Sequence, residues 1–557
     1  MTDDQGHGDF GFTGNTVVRT PNLDALAGRA ARMTNFYVSP VCAPTRASLM
    51  TGRYNYRTRV RDTYIGRAMM DPDELTVAEV LRDHGYATGI FGKWHLGDNY
   101  PMRPMDQGFE RSLVIRGGGI GQPSDPPGGE SKYTDPILLD QGKLKPFKGY
   151  CTDIFFNQAL SFIEKSKRQG RPFFAYIPTN APHGPFGDVP RDLYEYYKGF
   201  DYTPWMKGRN IAKRIKNGEG DRMARIFAMI TNIDDNVGRL FARLDQLGLT
   251  DDTMVIFLHD NGPNSDRYVS QMRGMKGGVH EGGIRSVFWV QWPGRVMPGQ
   301  SSDRIAAHID VMPTILDACG IAVPSDRKID GRSLLPLLEG RQVEWPDRMI
   351  TVQWHRGDVP LRYHQFGART QRWKLLNASG ANGQGWDGQP KFELYDKWSD
   401  PFEWRNLADE RPDVLARLRA QYDAWFDDVS TTRPDNWEAP LIDLGTPHEN
   451  PTTLTRQDWH HVKGRQWGPY SQGYWGVHVA ESGRYDFHLR FPRALEHGGT
   501  ARVKVGEQSS TVRVPAGAKK ADIHNVNLKQ GDGQLWTILN DGDRESGVLQ
   551  VDVERVR

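Results

Sequence analysis

Cys42-Ala43-Pro44-Thr45-Arg46 follows a short apolar run, Phe36, Tyr37 and Val38, and continues through Ala47, Ser48, Leu49 and Met50 to Thr51-Gly52-Arg53. This order reads as a strand that delivers Cys42 to a helix start. Pro44 suits the first helical turn, where its missing N–H costs nothing, and Gly52 suits a helix C-terminus. Cys42 then sits where free backbone N–H groups and the positive end of the helix dipole favour an anion. Arg46, four residues on, shares its helical face and offers a planar fork of donors to oxygen anions. The chemistry implied is an oxyanion site with a reactive side chain inside it. A lone cysteine is more often a small buried hydrophobe, so the reading depends on what the other segments bring.

Three further strand ends, an N-terminal turn and a glycine-rich segment carry ionisable groups. Asp3 and Asp4 share a Thr-Asp-Asp-Gln-Gly turn, where adjacent carboxylates are held either by solvent or by a hard divalent cation with oxygen ligands. The strand Ala87 to Phe91 empties into Gly92-Lys93-Trp94-His95-Leu96-Gly97, and the strand Phe173 to Ile177 into Pro178-Thr179-Asn180-Ala181-Pro182-His183. Met254 to Leu258 is a continuous apolar strand of the buried parallel type and ends at His259-Asp260-Asn261-Gly262. Lys276 lies in a glycine-rich segment before the strand Val287 to Gln291. Groups gathered just beyond strand ends suit a crevice at the carboxyl edge of a parallel sheet.

These segments, in this order, resemble the type I sulfatases of the alkaline phosphatase superfamily, whose C-x-P-x-R core marks a cysteine for oxidation to Cα-formylglycine. The resemblance covers roughly residues 1–430. It implies that Cys42 becomes formylglycine, whose hydrate attacks sulfur with one hydroxyl and expels sulfate with the other. It further implies a metal site of Asp3, Asp4, residue Cys42 itself, Asp260 and Asn261. All-oxygen ligation suggests Ca²⁺, with Mg²⁺ second. Arg46, Lys93 and Lys276 would clamp the sulfuryl oxygens, His183 would protonate the leaving oxygen, and His95 would act as the base. The expected activity is hydrolysis of sulfate monoesters, arylsulfatase-like, on a sulfated small molecule or glycan. A formylglycine-generating maturation enzyme is the implied partner. Two alternatives stand beside it: a phosphate or phosphonate monoester hydrolase on the same scaffold, and a non-catalytic binder of sulfated glycans. Asn261 speaks against the first, because related phosphoesterases often carry histidine there.

The expected fold is α/β, with a large mostly parallel sheet sandwiched by helices over residues 1–345 and a smaller α+β C-terminal subdomain over 346–430. A Pro-, Asp- and Asn-rich linker over 431–452 leads to a β-sandwich over 453–557, read from period-two runs such as Tyr485, Phe487, Leu489 and Phe491. Thr76 to Glu79 has capping-box spacing, Asp153 is a candidate helix cap, and the stripe Ile226, Ile230, Ile233, Val237, Leu240 and Leu244 marks a core helix. Residues 116–149 read as a long loop near the site. His355 and Arg356 are candidate substrate contacts, and His308 a candidate pocket residue.

The 71 basic and 69 acidic residues of the 557 nearly cancel, which gives no reason to propose nucleic acid as a partner. No apolar run approaches the roughly 18 residues of a membrane span. Three cysteines, Cys42, Cys151 and Cys319, exclude a disulfide scaffold, and whether the last two pair stays open. The family's hydrophobic first strand is nearly absent before Asp3. The compartment therefore stays open between periplasmic or secreted, for a shortened N-terminus, and cytoplasmic, for a true start at Met1. Oligomeric state is not legible.

Overall fold

The computed structural model describes residues 1–129, 131–380 and 386–556. The helix foreseen at Cys42 spans Cys42–Thr51, with every residue buried and Gly52 closing it in the left-handed conformation at φ 68°. A two-residue strand, Phe36–Tyr37, leads into it.

Ala87–Lys93, buried along its whole length, pairs in parallel with Arg111–Ile115 on one side and Phe173–Tyr176 on the other. Within the stretch read as a loop, Ile137–Asp140 and Lys143–Pro146 form an antiparallel hairpin that extends this sheet beyond Arg111–Ile115; Glu130 lies outside the described residues. A second group of strands runs in the order Ser301–Ser302, Ala31–Met33, Phe288–Gln291, Val255–Leu258. Between the two groups lies an apolar slot of about 440 Å³, walled by Leu49, Leu81, Ile177, Leu258, Val311 and Ile315 among others. Residues 1 and 2 close one end of it: Met1 N donates to Ile177 O at 3.2 Å and Thr2 N to Leu258 O at 3.1 Å. The C-terminal ends of Phe173–Tyr176 and Val255–Leu258 therefore lie at one edge; Val255–Leu258, read as a strand of the parallel type, pairs antiparallel with Phe288–Gln291.

The capping box at Thr76 and Glu79 forms as its spacing predicts. Helices Cys151–Arg168 and Gly220–Gln246 pack with their apolar stripes inward. Asp153 does not cap the first of them. The helix begins two residues earlier, and Asp153 instead accepts from the Asn232 and Asn236 amides at 2.9 and 2.6 Å, tying the two helices together. Cys42, Cys151 and Cys319 are all free thiols.

Four antiparallel strands, Ile350–Gln353, Phe366–Arg369, Trp373–Asn377 and Glu393–Asp396, form a smaller sheet against helix Pro412–Ser430. Lys374 is buried between Glu281, at 3.1 Å, and Glu403, and joins this sheet to the larger unit. The C-terminal strands form two facing sheets whose alternating residues share a core. Ile442–Leu444, within the segment read as a linker, pairs in parallel with Gln472–Val479 of one of them.

That last core is not closed on itself. Tyr64, Ile65, Met69 and Met102 are buried in the same cluster as Trp459, Trp475 and Phe487 of the sandwich. Truncating Ile65 to alanine should therefore cost about 2–5 kcal/mol and, in calorimetry, lower one transition common to both units. A sandwich that melts separately at its wild-type temperature would show that the two cores are independent.

Candidate active site

The six expected segments meet at one edge of the sheet. Asp3 Oδ2 accepts from Arg46 Nη2 at 3.0 Å and from Lys93 Nζ, while Asp260 Oδ2 accepts from the same Arg46 Nη2 at 2.9 Å. Asp4 Oδ1 takes Lys276 Nζ and the Asn261 amide, and Asp4 N donates to Asp260 Oδ1 at 3.2 Å. Thr45, inside the C-x-P-x-R segment, donates to the carbonyl of Asp260 at 2.7 Å and so fixes the Asp260-Asn261 turn to the Cys42 helix. Arg46 Nη1 is engaged by the Lys93 carbonyl at 2.7 Å. Its guanidinium thus faces the carboxylates, not open space.

Three oxygens of this group, Asp3 Oδ1, Asp4 Oδ2 and Asn261 Oδ1, are buried without a hydrogen-bond partner. Buried acceptors left unpaired cost about 1–3 kcal/mol each, so their convergence calls for an electrophile. One ligand atom each from Asp3, Cys42 and Asp260 lies within 4.8 Å of the others. Burial, reinforced by Asp3, pushes the Asp260 carboxyl upward. A hard divalent cation fits this donor set, since it satisfies the orphan oxygens and relieves the carboxylate repulsion. Arg46, Lys93 and Lys276 already balance Asp3, Asp4 and Asp260. A divalent cation would leave the centre positive, as a tetrahedral oxyanion requires.

Cys42 lies at the first turn of its helix, 2% exposed. Burial raises its thiol pKa, against the opposing pull of Lys93 and Lys276. Since the thiolate is the nucleophilic form of cysteine, an unmodified Cys42 is a poor nucleophile here.

His183 Nε2 stands 3.8 Å from Asp4 Oδ2, and its Nδ1 bonds the Gly184 carbonyl at 2.6 Å. That bond assigns the proton to Nδ1 of the neutral ring and leaves Nε2 facing the centre. Burial lowers the pKa of His183, while Asp4 raises it. His95 bonds the Thr63 carbonyl through Nε2 at 2.6 Å, and its buried Nδ1 has no partner. Burial, then Lys93, hold His95 well below the usual imidazole range. Gly118 and Gly119 make room for the two rings: a Cβ on Gly118 would lie 2.4 Å from His95 Nε2, and one on Gly119 3.0 Å from His183 Cε1.

Sequence reasoning missed two groups that hold His95. One is the Thr63 carbonyl, which has no sequence signature. The other is Gln457 in the sandwich, whose Nε2 donates to the same carbonyl at 2.8 Å and stands 3.4 Å from His95 Nε2. Other candidates fall elsewhere. His308 is buried and bonds Ser39 Oγ at 3.0 Å, so it supports the turn before Cys42. His355 turns inward to His364, with Nδ1 atoms 3.1 Å apart, whereas Arg356 remains partly exposed. His280 bonds Glu393 at 3.1 Å.

A family model described as Sulfatase matches residues 1–321, more than half of the chain, and a second, described as N-sulphoglucosamine sulphohydrolase, C-terminal, matches 275–425. The chain belongs to the sulfatase family. Human arylsulfatase A is 33% identical to it over 460 residues, which cover 75% of this chain and 85% of the relative. Human N-acetylgalactosamine-6-sulfatase is 29% identical over 422 residues, 70% of this chain and 74% of the relative. The solved structure of Ps i-CgsB in complex with k-i-k-neocarrahexaose matches with a TM-score of 0.65 at 23% identity, over 79% of this chain and 94% of that one, a likeness of fold. The protein is thus a sulfuric ester hydrolase, and its family implies a metal and formylglycine. Neither family model reaches the sandwich of this sulfatase.

If the orphan oxygens of the sulfatase centre hold a divalent cation, adding Ca²⁺ at about 100 times its Kd should stabilise the fold by about 2.7 kcal/mol. Asn261→Ala should reduce that gain. A melting temperature that ignores both chelator and cation would mean that Arg46, Lys93 and Lys276 satisfy the carboxylates alone.

Proposed function

We propose that this sulfatase hydrolyses sulfate monoesters of carbohydrates at the edge where Cys42, Asp3, Asp4, Asp260 and Asn261 meet. The observation that carries the reading is the trio of orphan oxygens on Asp3, Asp4 and Asn261, the two carboxylates being ion-paired with Arg46, Lys93 and Lys276. Formylglycine at position 42 supplies a regenerable nucleophile for sulfur, and the cation supplies positive charge against the sulfuryl oxygens. Calcium is preferred over magnesium because the donors are protein oxygens in a buried cage, whereas magnesium tends to keep several waters.

Lys93 and Lys276, each on a carboxylate when no sulfate is present, are placed to turn toward its oxygens and bind them as point charges. Arg46 has both terminal nitrogens engaged by protein acceptors, so its part is to orient Asp3 and Asp260. His183, with Nδ1 held by the Gly184 carbonyl, takes up a proton at Nε2 beside Asp4 and gives it to the departing oxygen. His95 accepts a proton at its unpartnered Nδ1, with the ring held by Thr63. Cys42 is almost fully buried, so its maturation enzyme must meet the segment before the fold closes.

Mass spectrometry of the peptide containing residue 42 should show an aldehyde in place of the thiol, with one sulfur and two hydrogens lost and one oxygen gained, and the protein should turn over an aryl sulfate in preference to the matching aryl phosphate. An intact thiol in fully active protein, or a preference for phosphate, would overturn the reading.

A proton donor matters most when the leaving group is poor. His183→Ala should therefore cost a sugar sulfate about 10²- to 10⁴-fold more in kcat than it costs an activated phenyl sulfate. Equal losses on both substrates would assign His183 to sulfate positioning instead.

A further inference from the structure

A set of contacts crosses the rim of the centre from the His95 side to the Lys276 side. Tyr64 follows Thr63, whose carbonyl holds His95, and its hydroxyl donates to Gln466 of the sandwich. Arg356 Nη1 donates to that hydroxyl at 2.9 Å, and the Arg356 guanidinium lies 5.0 Å above the Trp354 ring. The Trp354 indole donates in turn to the carbonyl of Gly277, next to Lys276, at 3.0 Å. Arg356 is 29% exposed.

Two more guanidiniums stand behind it, Arg61 at 1% exposure and Arg67 at 7%. Their main chains pair, Arg61 N to Arg67 O at 3.0 Å, and His355 N bonds Arg61 O at 3.1 Å, which brings the smaller subdomain into the group. Two carboxylates answer these cations. Asp62 lies 3.9 Å from Arg356 Nε, and Asp358 takes Arg67 Nε and Nη2 at 3.1 and 2.9 Å. The imidazoles facing the group are held neutral: burial, then His364, Arg67 and Arg61, push His355 down to about 3, and burial lowers His460. One positive charge is thus unmet, and burial and Arg67 lower even the Arg61 guanidinium to about 10. Arg61 Nε, Arg67 Nη1 and Arg356 Nε are buried without a hydrogen-bond partner among the described residues.

We propose that Arg356, oriented by Tyr64 and backed by Arg61 and Arg67, binds a second anionic group of the substrate. The substrates of this sulfatase are then glycans that carry a carboxylate or another sulfate near the scissile sulfate ester. This rests on the proposed carbohydrate sulfatase activity and adds the chemical class of its substrate. A guanidinium fork suits either planar carboxylate or sulfate oxygens, and a hydrogen bond to a charged group is worth about 1.5–3 kcal/mol, roughly tenfold or more in affinity.

The test is calorimetric titration of the full-length Cys42→Ala protein, which requires no turnover. The probes are glucosamine 6-sulfate, glucosamine 2-N,6-O-disulfate, and a disaccharide of glucosamine 6-sulfate with an unsulfated hexuronate. At least one dianionic probe should bind about tenfold more tightly than the monosulfate, with the disulfate or the uronate identifying the second anion. Arg356→Ala should remove that advantage without weakening the monosulfate, and Arg356→Lys should restore only part of it. Tyr64→Phe, which keeps the ring but releases Arg356, should reduce the advantage even if Arg356→Ala fails to fold. The proposal is overturned if no probe binds, if all three bind alike, or if the preference survives both Arg356→Ala and Tyr64→Phe. Aryl sulfate turnover by the wild type reports separately on the underlying activity.

Discussion

Three carboxylates removed from water at one sheet edge are the constraint on which the rest of this structure depends. An isolated buried carboxylate is costly enough that it would normally take up a proton. Here Arg46, Lys93 and Lys276 each come within ion-pair distance of Asp3, Asp4 or Asp260 and offset that cost. Arg46 makes the most demanding of these contacts, with one nitrogen shared between two carboxylates from strand ends far apart in the chain. It stands four residues after Cys42, about 6 Å along the helix axis. One rigid helix therefore fixes both the reactive position and the charge balance of the ligands beside it.

The central chemistry was legible in the sequence because it requires particular residue types at particular strand ends. Cys42, Lys93, His183, Asp260 and Asn261 each follow an apolar run that could only be a strand, and the structure brings those ends together. The direction of Arg46 was not legible. From helical spacing it could face a substrate oxyanion as well as a protein carboxylate, and only the three-dimensional position of Asp3 and Asp260 decides. Asp153 shows the same limit: its local sequence allows a cap, but Asn232 and Asn236, some 80 residues away, take its carboxylate. The Thr63 carbonyl and Gln457 left no trace, because a backbone oxygen has no residue type and a glutamine in a distant β-sandwich has no reason to be read with a histidine.

Backbone geometry marks two of the same residues independently. Asp4 at φ 59° and His95 at φ 65° occupy the left-handed region without being glycines. Such conformations cost on the order of 1–3 kcal/mol and persist where surrounding contacts over-determine them. At Asp4 those contacts are Lys276, Asn261 and Asp260, and at His95 they are Thr63 and the close approach of Gly118. The strain is thus held by the network that neutralises the centre.

The segment 61–67 runs between three units: its main chain bonds Gln457 of the sandwich through Ile65 N at 2.6 Å, its side chains enter the sandwich core, and Arg61 O receives His355 N from the smaller sheet. A loop anchored at so many points has little freedom to open by itself. The wall it forms is consequently preorganised: a ligand meets a fixed contour and spends little binding energy on ordering it. Changes in selectivity along this wall would therefore arise from the identity of its side chains, with little contribution from hinge motion.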